Sequence, residues 1–158
     1  MAQPEELPRQ HGTRKLLVGT EDLRAAVIDV VSRAQRTLAI LTPNLEPDIY
    51  EHDDFLLALK RFVLAKSFTR VRVLISEPGR AIKPGNQLVQ MGQRLSSYIE
   101  FRNLAQSLQP EAQAYCIADA DAIVYRANHT TGEGMIAQQT PEIAKLYLAE
   151  FDQLWQQS

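Results

Sequence analysis

A layered α/β domain with a mostly parallel, mixed sheet flanked by helices is the fold this sequence predicts. Short β-like apolar runs alternate with longer stretches of helical period, which argues for strands and helices in turn. The runs are rich in Val, Ile and Leu, and Pro, Gly and Asn punctuate the junctions between them.

Residues 1–13 are polar and carry two prolines, so they read as a flexible N-terminal arm ahead of a single domain over 14–158. Lys15-Leu16-Leu17-Val18 makes a short strand before Gly19. Thr20 is expected to cap the first helix, with Glu21 and Asp22 in its first turn and Leu23, Val27, Val31 and Ala34 as its buried stripe. Thr37 to Thr42 is the next strand, stopped by Pro43, Asn44 and Pro47. Asp53 and Asp54 open a second helix that buries Phe55, Leu59, Phe62 and Val63. Val71 to Ile75 is a buried strand, and Pro78 to Gly85 a loop. Asn86 caps a third helix, with Leu88, Met91, Leu95 and Tyr98 on its apolar face.

Strands then follow at Ile99 to Arg102, Ala114 to Ala118 and Ala122 to Tyr125. Asp119-Ala120-Asp121 turns the last two into a hairpin. Thr140-Pro141 starts a closing helix whose Ile143, Tyr147, Phe151, Leu154 and Trp155 face inward.

Composition excludes several classes. The chain has 158 residues, 45% hydrophobic and 23% charged, which is neither disordered nor repetitive. Its 17 Lys and Arg against 19 Asp and Glu leave a net charge of −2, which argues against nucleic acid as a partner. A nucleic-acid binder would need a one-sided cluster drawn from Arg14, Lys15, Arg33, Arg36, Lys66, Arg70 and Arg72. No run approaches the ~18 apolar residues of a membrane span, and one cysteine, Cys116, fits a reducing compartment. A cytoplasmic protein without membrane attachment is expected. The three histidines are too scattered for a metal motif, no phosphate loop or dinucleotide fingerprint exists, and no cofactor is implied.

Together these segments resemble the phospholipase D-like fold, and more closely a group of bacterial domains of unknown function related to it. The resemblance rests on the helix leading into Arg36-Thr37-Leu38-Ala39-Ile40-Leu41-Thr42-Pro43, on Val71 to Ile75 before a Pro-Gly loop, and on the late strand ending in an Asp. The closing helix with its Phe151-x-x-x-Trp155 completes it. The resemblance implies a His-x-Lys-x-x-x-x-Asp motif, in which histidine attacks phosphorus, lysine holds the phosphate oxygens, and two motifs meet in one site. With Asp119 as the motif's Asp, Ala114 falls at the lysine and Ala112 at the histidine. The Gly-Ser-x-Asn pattern that usually follows falls on Arg126, Ala127, Asn128 and His129. No catalytic residue is carried over.

Five residues are left as candidates for binding a ligand: Asp119, Arg126, His129, Arg80 and Lys83. Asp119 fits turn chemistry as well as a remnant ligand site. His129 lies in a polar segment beyond a strand end, where α/β folds place function, and equally suits a solvated loop. Arg80, Lys83 and Arg126 could gather a phosphate or carboxylate, with ordinary surface charge as the plainer reading. The leading expectation is a non-catalytic module that binds a protein partner, a second copy or a small anion. The rival is a phosphate-handling enzyme rebuilt around Asp119, Arg126 and His129.

Overall fold

A computed structural model describes residues 12–78, 82–105 and 112–158. The expected arm over 1–13 thus lies outside the described residues up to residue 11, and Thr13 already belongs to a strand. In chain order the elements are β1 (Thr13–Val18), α1 (Thr20–Arg33), β2 (Thr37–Thr42), α2 (Pro47–Tyr50), α3 (Asp53–Ala65), β3 (Arg70–Ile75), α4 (Gln87–Arg94), β4 (Ile99–Asn103), β5 (Ala114–Ala118), β6 (Ala122–Arg126), β7 (Glu133–Gln138) and α5 (Pro141–Gln156).

The strands form one seven-stranded sheet in the order β1-β7-β6-β5-β2-β3-β4. It is a mixed sheet, and the expectation of mostly parallel pairing needs correction. Only β2–β3 and β3–β4 pair in parallel, while β1–β7, β7–β6, β6–β5 and β5–β2 are antiparallel. The parallel bias survives in direction alone. β5 and β7 run against the other five strands, and each is wedged between two of them. Two elements went unread. α2 is a single turn, too short to show a period, and β7 carries Gly134 and one fully buried side chain, Ala137, so its pattern is faint.

β2 shows why its sequence is apolar throughout. Leu38 and Ile40 face one core, against α1, α2, α3 and α4, while Ala39 and Leu41 face the other, against α5. A strand covered on both faces reads as a continuous run rather than an alternation. On the α5 side, Tyr115, Phe151 and Trp155 are buried together, and the Arg72 guanidinium lies 4.9 Å from the Phe151 ring centre.

Capping follows chemistry more closely than position. Asn86 Oδ1 accepts from Val89 N at 3.0 Å, as expected. The cap of α1 is Gly19 at φ 92°, a left-handed value that favours glycine, and not Thr20. His52 caps α3, its Nδ1 accepting from Asp54 N at 3.2 Å. Thr140 stands at the N-cap of α5 without a side-chain capping bond, its hydroxyl buried and unpartnered.

Candidate functional site

Parallel strands β2 and β3 bring their C-terminal ends to one edge of the sheet, where α/β folds tend to place ligands. The loops beyond them run side by side, with Ser76 N donating to the Thr42 carbonyl at 2.9 Å and Glu77 N to the Pro43 carbonyl at 3.0 Å. β5 begins and β6 ends at the same edge, because Ala114 pairs with Arg126. Partners directly opposite each other in a ladder point to the same face. The Arg126 side chain therefore projects on the side from which Ala114 emerges.

Arg126 is buried, with 6% of its side chain exposed, and is held by Glu46 in a forked pair. Arg126 Nη1 donates to Glu46 Oε2 and Nη2 to Oε1, both at 2.7 Å, and Thr42 Oγ1 donates to Glu46 Oε1 at 2.9 Å. Burial alone would lower the guanidinium pKa. Its hydrogen bonds and charge attraction to Glu46 outweigh that and hold it above its ordinary value. Glu46 reaches inward from the tight turn between Pro43 and Pro47, where Leu45 takes φ 66°, unusual for a bulky side chain. Gly134 makes room for the pair, since a Cβ there would stand 2.9 Å from Arg126 Cγ. Tyr50 is buried nearby; burial first, then the charges of Cys116 and Glu46, push its pKa well up.

Beside this pair, His129 is placed by its own backbone, its N–H donating to the Ala112 carbonyl at 2.8 Å. Its Nε2 lies 2.9 Å from Glu77 Oε2, and only 7% of the imidazole is exposed. The solvated-loop reading of His129 is thereby corrected. A carboxylate on one ring nitrogen fixes the orientation of the imidazole, which is how His–carboxylate dyads are positioned in general.

Asp119 belongs elsewhere. It follows Ala118 at the hairpin turn, while Arg126 lies four residues up the ladder from Ala122, about 13 Å away at ~3.3 Å per residue. The carboxylate accepts from Gln35 N and Arg36 N at 2.7 Å and from Thr37 N at 3.0 Å, tying the hairpin to the entry of β2. The rebuilt site of Asp119, Arg126 and His129 does not converge. Asp119→Ala is expected to cost about 1.5–3 kcal/mol, as bonds to a charged acceptor are lost, with Asp119→Asn intermediate. Urea denaturation checks this, and a change near zero would overturn it.

Lys83 is exposed on the loop before α4, and its carbonyl accepts from Asn86 N at 3.2 Å. Arg80 lies outside the described residues. Among the described residues no group of three or more His, Cys, Asp or Glu side chains is placed to hold a metal, and no helix is long and apolar enough to cross a membrane. Sequence reasoning missed Glu46 and Glu77. Each is an acid just past the C-terminal end of a parallel strand, a position that could have flagged them.

The mixed sheet and its covering helices are those of the phospholipase D-like fold. Nuc of Salmonella typhimurium, a phospholipase D family member, is similar over 92% of this chain and 96% of that one, at 18% identity and a TM-score of 0.63. NucT from Helicobacter pylori is similar over the same shares at 13% identity and a TM-score of 0.61. TrmBL2, an archaeal chromatin protein, matches 97% of this chain and 54% of its own length, at 12% identity and a TM-score of 0.63. The chain belongs to the family described as domain of unknown function DUF7931, which matches residues 19–158. No curated protein matches it by sequence.

Proposed function

We propose that this chain is a non-catalytic phospholipase D-like domain, a cytoplasmic binding or regulatory module that engages a protein partner or a second copy of itself. The observation that carries the reading is the state of the site edge. Alanines stand at positions 112 and 114, where the resemblance calls for the nucleophile and the phosphate-holding lysine, and an alanine can neither attack phosphorus nor stabilise charge. The cation across the ladder, Arg126, is occupied on both terminal nitrogens by Glu46, which stands where an external anion would otherwise bind. His129 is likewise taken by a carboxylate, that of Glu77, which leaves the exposed Lys83 as the candidate ligand contact open to a small anion.

One observation favours a second reading. The His129–Glu77 pair has the geometry of an oriented imidazole, which in a phosphate-handling enzyme would serve as nucleophile or base. A phosphodiester assay with bis(p-nitrophenyl) phosphate decides between them. The module reading expects turnover at buffer background for the native protein and for His129→Asn alike. Turnover above background that disappears in His129→Asn would establish the enzyme.

A further inference from the structure

The opposite end of the sheet carries a different chemistry. There the segments leading into β2, β3 and β4 are stitched together, with Arg70 N donating to the Arg36 carbonyl at 3.1 Å and Val71 N to the Tyr98 carbonyl at 2.8 Å. Phe68 stands at this end with 49% of its surface exposed. The Arg36 guanidinium and the Lys66 ammonium each lie 5.5 Å from its ring centre, and the Arg70 guanidinium lies 5.8 Å from that of Tyr98.

Among the described residues these three cations are not neutralised: none of Arg36, Lys66 and Arg70 pairs with a carboxylate. Lys66 Nζ donates to the Gln35 amide oxygen, and Arg70 Nη1 to the carbonyls of Ser67 and Thr69. Of the acids at this end, Asp119 spends its carboxylate on backbone amides and Glu100 is held by Arg102, while Asp121 lies in the same turn as Asp119. Of the other members of the expected basic set, Arg33 pairs with Asp29 and Arg72 with Asp152, while Arg14 and Lys15 lie on β1, at the far edge of the strand order. A chain with a net charge of −2 thus concentrates unpaired positive charge around an exposed aromatic ring.

We propose that this end of the sheet binds single-stranded nucleic acid, with Phe68 and Tyr98 offering ring faces to bases and Arg36, Lys66 and Arg70 taking phosphates. This goes beyond the module reading above, which concerns the other edge, and it stands or falls separately. An exposed cation–π contact is weaker than the stacking of a base on an aromatic ring. A base therefore displaces a cation from Phe68, and the freed cation meets the phosphate that accompanies the base. In a duplex the bases are already stacked on one another, so a single strand is the better ligand. A crevice of about 460 Å³ between α1 and α3 shares Gln35 and Lys66 with this end; its walls are mostly apolar, with Arg61 and Asp54 as its other charged residues.

Fluorescence anisotropy with a labelled oligothymidylate of about 20 nucleotides tests the proposal, the length exceeding the ~4–16 nucleotides that stacking grooves cover. Binding is expected to weaken with salt, with a log–log slope of about −2 for three phosphate contacts on a single strand. Phe68→Ala should lower affinity about tenfold, Phe68→Trp should retain it, and Arg36→Gln should flatten the slope by about 0.7. Lys145→Gln on α5 removes the same charge elsewhere and should change nothing. Unaltered thermal midpoints in the Phe68 and Arg36 variants will separate lost binding from lost fold. No binding at low salt, equal binding by Phe68→Ala, or preference for a duplex of the same length would each overturn the proposal.

Discussion

Arg126→Ala should lower stability by about 3–5 kcal/mol, the usual cost of stranding one member of a buried ion pair. The Glu46 side chain is only 15% exposed, and without Arg126 its carboxylate would keep the Thr42 hydroxyl as its side-chain partner. For a domain of this size the loss corresponds to a fall in Tm on the order of 10 °C. Glu46→Ala should be comparable, since it leaves a guanidinium buried instead. Thr42→Val, which removes one hydroxyl bond, should cost about 0.5–1.5 kcal/mol. The informative variant is the double replacement Glu46→Leu with Arg126→Met. Apolar residues of similar volume often replace a buried ion pair at no net cost, so the double variant should recover most of what either single change loses. Urea unfolding of all four proteins measures this. A single-variant loss below about 1 kcal/mol would show the pair to be energetically idle.

That pair also shows what the sequence could and could not reveal. β2 was legible because both of its faces are buried, and a run of six residues without a charge has few other uses. The β5–β6 hairpin was legible because its turn is short and acidic. Its pairing partners were not, because the antiparallel insertion of β5 beside β2 is a long-range choice that no local pattern records. Arg126 was singled out as a cation beyond a strand, yet its partner Glu46 lies 80 residues earlier inside a turn, where an acid is ordinarily solvated. Asp119 was read as either turn chemistry or ligand site. Its carboxylate in fact reaches across to the amides of residues 35–37, a contact set by the β2–β5 register. Glu77 escaped notice for the same reason as Glu46. Side chains chosen for distant partners carry no period.

Raising the pH should unfold the protein steeply above about pH 10. Three buried groups drive this, two on opposite faces of β5 and one on α2. Burial pushes the Cys116 thiol up to about 12. Burial, and then the charge of Glu150 that accepts the phenol's hydrogen bond at 2.9 Å, raises Tyr115 far above the usual range. Tyr50 is raised by burial as well. All three are neutral when protonated, and their folded pKa values lie above the unfolded ones of about 8.5 for Cys and 10 for Tyr. The unfolded chain therefore releases their protons first. Stability is fully present below the unfolded pKa and falls as pH rises toward the folded one. Each group removes about 1.4 kcal/mol per pH unit in that window, so the three together remove about 4 kcal/mol per unit above pH 10. Tyr125, also raised by burial to about 12, is half-exposed and adds less. A domain with about 5–15 kcal/mol in hand does not survive two such units. Urea midpoints between pH 8 and 11, with phenolate absorbance as a second readout, test the slope. Tyr50→Phe should remove about one third of it above pH 10, because a phenyl ring has no proton to lose. Stability that stays level to pH 11 would mean that these side chains reach solvent without unfolding, and the packing of β5 against α2 and α5 would then be looser than the fold described.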